Sequence, residues 1–464
     1  MTSLSTQHFS DWTGGQWTST PPDTVEELCI DSRTIQSGQV FVAIKTEARD
    51  GHDYIEQAKE NGAVAALVSK KQPQVDIPQL VVPDTEKALR ELALQQRIEF
   101  SGTAIGITGS CGKTSTKEML ALLLGEGTLK TFGNFNNHLG VPLTLLRLRM
   151  EHKQAVVEVG MNATGEIASL SRILQPDYSI ITTVAPVHLE GVHSLQGVAE
   201  EKSQLVKATK KLCVLPVECF RFPAFASLTT PCLIVGKPEP GREYPASSRF
   251  VDFSLDQQAD KTDIVLRPKG GSVLSFTVGR TSNGMARNIG LSLALCLELG
   301  LDTHTLQSRL DDWSPTDMRC ERDTLGELDF FIDCYNANPA SMRDSLEYFN
   351  SITPIETARY YVIGGMKELG EYTEEYHREL GRSFKLRSMD RLYLTGDEVD
   401  GFLSGFRAAG RDEEHVKIFN DHMEVVKELR HLEGAVFLKG SRSYALETIY
   451  HKLKEMYRPV ESTC

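Results

Sequence analysis

The residues Thr108-Gly109-Ser110-Cys111-Gly112-Lys113-Thr114-Ser115 have the types and spacing of a phosphate cradle. Glycines let backbone N–H groups approach an anion, and a following helix N-terminus favours negative charge. A lysine adds a point charge, and a threonine hydroxyl can hold Mg²⁺. Each of these eight residues is therefore a candidate ATP ligand. Ile107 stands where a strict GxxxxGK pattern has its first glycine, and the glycines on offer are Gly106, Gly109 and Gly112. Cys111 contributes backbone here, so its thiol is incidental. Residues 104–107 read as a buried strand. Residues 117–124 read as a helix with Met119, Leu120, Leu122 and Leu123 on its apolar face. Strand–turn–helix is the setting that a chance Gly/Ser turn lacks.

Further candidates follow strand ends. Glu158 closes the apolar run Ala155-Val156-Val157, and a carboxylate there is costly unless it meets a cation or faces solvent. A strand over 178–184 leads to His188. Two polar residues after two strands, downstream of a phosphate loop, point to Mg²⁺ or phosphate contact. Lys202 falls in a helix over 198–208 and, from its surroundings alone, reads as a solvated side chain. Asp333, Tyr335 and Asn336 follow a strand over 329–332. Ser32-Arg33 and the turn Asp50-Gly51-His52 also sit beside strand ends, where ligands bind.

These residues need a scaffold, and the 464-residue length allows about three domains. Residues 1–98 alternate short strands and helices. Residues 99–312 begin with the phosphate loop, pass through a turn-rich stretch of short strands and loops over 214–282, and close with a helix over 285–299 capped by Gly300. Residues 313–464 alternate again, with strands at 329–332, 360–363, 391–395 and 435–438, and a tail after Arg458 expected to fray. The fold class expected is α/β with parallel sheets. Hydrophobic content of 40% and charged content of 24% are ordinary for a globular protein. A net charge of −13 argues against nucleic acid as a partner. No apolar run is long enough to span a membrane, and the start carries no secretory pattern. Nine scattered cysteines without a CxxC pair fit reduced thiols in a cytoplasm.

In order along the chain, IDSRTIQSGQVFVAIKTEARDGHDY, TGSCGKTSTKEM, GNFNNHLGVPLTLLRL, VVEVGMNATGEI, HLEGVHSLQGVAEEKSQL, DCYNANPASM and VIGGMKELG resemble the Mur ligases. The likeness is strongest to the member that adds a D-alanyl-D-alanine dipeptide. It covers nearly the whole chain and accounts for the missing first glycine. It implies three domains: a uridine-nucleotide-binding domain over 1–98, a P-loop ATPase-like domain over 99–312, and a Rossmann-like ligase domain over 313–464. It implies that ATP phosphorylates the terminal carboxylate of UDP-N-acetylmuramoyl-tripeptide, and that the amine of D-Ala-D-Ala then attacks the acyl phosphate. Lys113 then holds the β- and γ-phosphates, Thr114 and Glu158 bind Mg²⁺, and His188 serves a second Mg²⁺. Lys202 matches a lysine that the family carbamylates. Asn136, Asn137 and Asn162 match positions near the phosphates and peptide. Asp333, Tyr335 and Asn336 match positions near the nucleotide, and Ser32 and Arg33 positions at the uridine end. Lys439, Ser441 and Arg442 are candidates for the carboxylate of the amine substrate. The expected state is a monomer.

The chain departs from the family pattern in places. Gly365 replaces an Asp, Gly284-Met285 replaces a His-Asn pair that touches adenine, with Asn283 as a stand-in, and Met318-Arg319 replaces Gly-Arg. An Asn-Ala-Asp-Asp string after 213–215 is absent. Two other readings therefore stay open: a sister ligase adding another amino acid, against which GMNATGEI and NANP argue, and a ligase-derived nucleotide-binding scaffold.

Overall fold

The computed structural model describes residues 4–315 and 318–457; the tail expected to fray lies outside them. Among the described residues, three large sheets follow one another along the chain. The first has strand order Gln16–Trp17, Gln79–Val81, Ala65–Val68, Val40–Val42, Leu28–Cys29, parallel apart from its first pair. Successive side chains of a strand point to opposite faces. Phe41 and Ala66 accordingly pack with Ile55 and Ala58 of the helix Ile55–Glu60, while Val40, Val42 and Leu67 pack with Leu89 and Leu92 of Thr85–Glu99.

The central sheet runs Leu274–Gly279, Lys261–Pro268, Arg249–Gln257, Cys232–Val235, Leu212–Pro216, Tyr178–Ile181, Thr103–Thr108, Gln154–Glu158, Thr128–Lys130. It is parallel from Thr128–Lys130 through Arg249–Gln257, and the last two strands fold back antiparallel. From Thr103–Thr108 the chain leaves to one side of the strand and later returns on the other. The carboxyl ends of that strand and its two neighbours therefore open a crevice at a topological switch point.

Two expectations change here. The helix expected over 117–124 spans Lys113–Leu124, because the end of the phosphate loop is itself the first helical turn, with Thr116 N donating to Gly112 O at 2.9 Å. The stretch 214–282, expected as short strands and loops, contains strands of 9, 8 and 6 residues that extend the sheet. Their half-buried alternation, with Ile264, Leu266, Phe276 and Val278 inward and Asp263, Val265, Arg267, Ser275 and Thr277 between and beside them, hides beneath the prolines of the preceding connection.

The third sheet has order Glu321–Leu325, Leu328–Ile332, Gly434–Lys439, Arg359–Gly364, Arg391–Thr395, Val416–Ile418, parallel apart from its first pair. Its four inner strands are those the sequence marks. The two edge strands carry no continuous apolar run and have no such signal. The α/β class with parallel sheets is as expected. Among the described residues no helix is long and apolar enough to cross a membrane, and every described cysteine is a free thiol.

One buried arginine ties the first unit to the second. Arg97, on the helix Thr85–Glu99, donates to Leu174 O at 2.9 Å, Gln175 O at 3.0 Å and Asp177 Oδ2 at 2.9 Å. The same Asp177 oxygen accepts from Ala104 N at 2.9 Å, at the start of the phosphate-loop strand. Removing one partner of a buried pair strands the other charge. Arg97→Met is expected to lower stability by about 3 kcal/mol in urea unfolding; a wild-type midpoint would contradict this account.

Candidate active site

The phosphate loop is fixed from the strand behind it. Ser110 Oγ donates to Ala185 O at 2.7 Å and accepts from Ala185 N at 2.8 Å. Thr182 Oγ1 donates to Cys111 O at 2.6 Å. Gly112 adopts φ 79°, the left-handed region that glycine enters without strain, and caps the helix. A Cβ on Gly109 would fall on Thr182 Oγ1, so only glycine lets the loop lie this close to the strand. Lys113 Nζ donates to Gly109 O at 2.9 Å, and burial pushes its ammonium below the usual lysine range. Burial raises the Cys111 thiol to about 11, so it stays protonated, in keeping with its incidental role.

Glu158, only 1% exposed, is satisfied by two side chains. Thr114 Oγ1 donates to its Oε2 at 2.9 Å, and Asn136 Nδ2 donates to its Oε1 at 2.7 Å. The solvent-facing alternative for Glu158 is thereby removed. Hydroxyl and carboxylate oxygens make a hard donor set suited to Mg²⁺, which typically uses one or two carboxylates plus substrate phosphates and water. Among the described residues no three of His, Cys, Asp and Glu converge into a metal cluster.

His188 occupies φ 51°, unusual for a residue with a side chain, and its Nδ1 lies 2.5 Å from Glu368 Oε2 of the third unit. Glu368 is also left-handed, at φ 68°, and its carbonyl accepts from Leu189 N at 2.8 Å. The hydrogen bond with His188 lowers the Glu368 carboxyl. Lys202 corrects the reading made from its neighbours in sequence, since it is 1% exposed rather than solvated. Burial, followed by the charge of Lys113, holds its ammonium well below the lysine range. Glu201 faces elsewhere, accepting from Gly165 N at 2.9 Å and Ile167 N at 2.7 Å.

A cavity of about 460 Å³ collects most of the expected residues. Ser110 to Ser115, Asn136, Asn137, Glu158, Asn162 and His188 line one part of it, and Asp333, Tyr335 and Asn336 line another. Asn283, the expected stand-in, lines it too. Thr108, Gly109 and Lys202 do not line it. Asn137 turns its side chain to the backbone, its Oδ1 accepting from Gly140 N at 2.9 Å. Lys439, expected at the amine substrate's carboxylate, is instead buried in this cavity, 2.5 Å from Asp333 Oδ2.

The residue reading missed several members. Arg319 crosses from the third unit, donates to Thr114 Oγ1 at 3.1 Å, and stacks 3.9 Å over Tyr335. Asn338 Nδ2 donates to Ser110 O at 3.2 Å. Asp344 accepts from Gly284 N at 2.9 Å, and burial raises its carboxyl. Arg319 and Asn338 sit in strings singled out above; nothing in the sequence marks Asp344.

Ser32 and Arg33 lie away from this cavity. Ser32 is buried and donates to Gln57 Oε1 at 2.7 Å. Arg33 is exposed and binds both oxygens of Asp31, at 2.9 and 2.7 Å, holding that carboxyl at about 2. His52 is enclosed, its Nδ1 2.6 Å from Asp50 Oδ1 and its Nε2 accepting from Ser69 N at 2.9 Å. A second cavity of about 820 Å³ lies between Glu26, Asp31 and Gln36 of the first unit and Phe135, Arg147 and His152 of the second.

Three family models match the chain in order: Mur ligase family, catalytic domain, over 24–97; Mur ligase middle domain, over 107–228; and Mur ligase, glutamate ligase domain, over 318–442. The chain is 31% identical to the UDP-N-acetylmuramoyl-tripeptide–D-alanyl-D-alanine ligase of Escherichia coli (strain K12), over 93% of this chain and 94% of that protein. It is 29% identical to the ligase of the same name from Bacillus subtilis (strain 168), over 93% of each. Among solved structures it is similar to MurF from Acinetobacter baumannii, with TM-score 0.84 and 28% identity over 98% of this chain and 99% of that one. It is also similar to MurF ligase from Thermotoga maritima in complex with ADP, with TM-score 0.75 and 26% identity over 92% and 97%.

The close approach at Gly109 yields a test. Gly109→Ala forces its methyl onto Thr182 Oγ1, and overpacking of this kind costs roughly 1–3 kcal/mol. ADP affinity by calorimetry is expected to fall about 10-fold or more. Adding Thr182→Ala should restore part of it by opening the space. No loss in the single variant would contradict the assignment.

Proposed function

The chain belongs to the Mur ligase family, and on that premise we propose that it joins D-alanyl-D-alanine to UDP-N-acetylmuramoyl-tripeptide, giving UDP-N-acetylmuramoyl-pentapeptide, ADP and phosphate. The observation that carries the reading is one cavity in which a phosphate loop, Glu158 and His188 of the second unit meet Asp333, Tyr335 and Asn336 of the third. In a chain that matches ligases of that name over 93% of its length, such a cavity suits ATP-driven ligation. We assign 1–98 to the UDP-linked substrate, with Ser32, Arg33 and the neighbouring cavity at its uridine end. We assign 99–312 to ATP, and 313–464 to completing the site. Reduced thiols support a cytoplasmic setting.

A carboxylate is a poor electrophile. Transfer of the γ-phosphoryl breaks its bond to the β-phosphate oxygen and forms a bond to a carboxylate oxygen of the tripeptide. The amine nitrogen then attacks the acyl carbon, phosphate leaves with the C–O electron pair, and the nitrogen gives up a proton. The main-chain N–H groups of Gly112 to Ser115 and the Lys113 ammonium face the place where charge develops, so their work is positioning and electrostatic stabilisation. Thr114 and Glu158 would hold Mg²⁺ and His188 would serve a second ion; bound there, Mg²⁺ offsets the repulsion between two anionic reactants. Asn136 orients Glu158, and Glu368 orients His188. Arg319 lies on Thr114 and adds positive charge at the same place.

Lys202 is proposed to be carbamylated. A carbamate forms only from the neutral amine, and burial beside Lys113 favours that form. The carbamate converts a cation into an anion next to a site that gathers positive charge. Lys202→Ala is expected to lose roughly 10–100-fold in activity, the range for residues supporting a metal site. A short carboxylic acid should restore part of it. Full activity of Lys202→Ala in carbon-dioxide-depleted buffer would end this proposal.

The reaction itself is tested by phosphate release from ATP with both substrates, with each alone, and with neither. Release is expected only with both, and UDP should compete against the tripeptide carrier. Release that ignores D-Ala-D-Ala, or its replacement by a single amino acid at equal rate, would point instead to a scaffold or a sister ligase.

A further inference from the structure

Lys117 is a lysine with no exposed surface, on the helix that begins in the phosphate loop. An ammonium offers three donors, and a buried one is costly unless all are used. Here Nζ donates to Thr131 O at 2.9 Å and to Gly133 O at 2.8 Å, and lies 2.8 Å from Glu118 Oε1. Thr131 and Gly133 begin a bend, with Gly133 at φ 51°, that leads to Asn136. Packing holds this bend weakly from outside, since Phe132 is 67% exposed and Phe135 43%. At its far end Asn136 O accepts from Gly160 N at 2.8 Å, and Asn136 Nδ2 donates to Glu158 Oε1 at 2.7 Å. Glu158 in turn accepts from Thr114, on the same helix as Lys117 and about one turn earlier. The contacts close a ring: helix, Lys117, bend, Asn136, Glu158, Thr114, helix.

We infer that Lys117 is a positioning residue, which holds the carbonyls of Thr131 and Gly133 so that the Asn136 amide orients the Glu158 carboxylate toward bound nucleotide and Mg²⁺. A hydrophobic side chain of similar volume would fill the site without the desolvation cost, so packing alone does not account for a lysine here. The inference deepens the reading of Thr114 and Glu158 as the groups that meet Mg²⁺, and it rests on that reading.

The experiment compares ADP affinity with and without Mg²⁺ by calorimetry, in the wild-type chain, Lys117→Met, Asn136→Ala and the double variant. The Mg²⁺-dependent gain in affinity is expected to fall roughly 10-fold in each single variant, in line with loss of support behind a ligand. It should fall no further in the double variant, because both act through one contact. In the metal-free protein, the Asn136 side-chain amide resonances should shift in Lys117→Met, which a lysine that merely supports the fold would not cause. A folded Lys117→Met with an unchanged Mg²⁺ gain, or additive losses, overturns the inference. Should Lys117→Met not fold, Gly133→Ala tests the same bend. Its methyl meets nothing within 4 Å, so it perturbs only backbone conformation. It must lower the Mg²⁺ gain as well, and an unchanged gain there also overturns the inference. If the wild-type chain shows no Mg²⁺ gain at all, the reading of Thr114 and Glu158 fails instead.

Discussion

A carboxylate buried at the end of a parallel strand is the constraint on which the rest of the site depends. Glu158 gives up nearly all its water, and an unpaired ion there would cost several kcal/mol. Its two oxygens therefore need donors, and the fold supplies one from each side: Thr114 from the phosphate-loop helix and Asn136 from the bend after Thr128–Lys130. That requirement fixes the order of three neighbouring strands. The helix must start at Lys113 for Thr114 to face Glu158, and the bend must return to Gly160 for Asn136 to reach it. An anion so held lines the cavity beside Lys113. A hydroxyl, a carboxylate and an amide are thereby fixed together on one wall of the cavity.

The local part of this was visible in the residues. Gly109, Gly112, Lys113 and Thr114 are neighbours in sequence, and their chemistry follows from spacing. Glu158 and His188 gave half-signals, polar groups at the ends of apolar strands. Lys202 gave a misleading one, because a lone lysine in a helix reads as a solvated side chain. What buries Lys202 is the helix's docking against the sheet, and the burial of that turn depends on Val198, Leu205 and Val206 facing inward. The antiparallel strands of 249–279 were obscured for a related reason. Strands half open to water carry charged residues at alternate positions and lack the continuous apolar run of a buried parallel strand. Contacts between units, such as Arg319 to Thr114 or Asp344 to Gly284, join residues far apart in the chain, so no local pattern encodes them.

The departures from the family pattern have local structural counterparts. A side chain at Gly284 would stand 2.5 Å from Asp344 Oδ2, so the missing residue and the acidic one share one space. A side chain at Gly365 would collide with Glu398, whose carboxylate lies 2.6 Å from both the Tyr444 hydroxyl and Lys367 Nζ. In both places a polar group from elsewhere fills the volume that a larger side chain would take. Decay of an unused site leaves gaps or unpaired groups. Replacement by paired carboxylates is what a working site with altered contacts contains. Met318 is different: at φ 55° it holds a conformation that glycine enters freely, with its N–H donating to Glu321 Oε2 at 3.0 Å and its carbonyl accepting from Tyr335 N at 3.3 Å.

That strain lies beside Arg319, and the third unit reaches the nucleotide cavity through few contacts. Arg319 meets Thr114, Asn338 meets the Ser110 carbonyl, and Glu368 meets His188 and Leu189. The first two land within the phosphate loop, the third on His188 and its neighbour, and Asp344 adds a fourth at Gly284 N. Met318, Glu368 and His188, which lie at or beside these contacts, all hold left-handed conformations despite carrying side chains. Strain of this kind persists only where surrounding contacts over-determine it, and it concentrates at functional sites. For His188 and Glu368 the contacts that hold it are those between the units, whereas Met318 is held inside the third unit by Glu321 and Tyr335. Separating the units would remove the contacts that hold His188 and Glu368, while docking them requires the Arg319, Asn338 and Glu368 contacts to form together. Assembly of the cavity and placement of its charged groups are thus the same event, so the third unit acts on the phosphates by completing a site whose core the second unit holds ready.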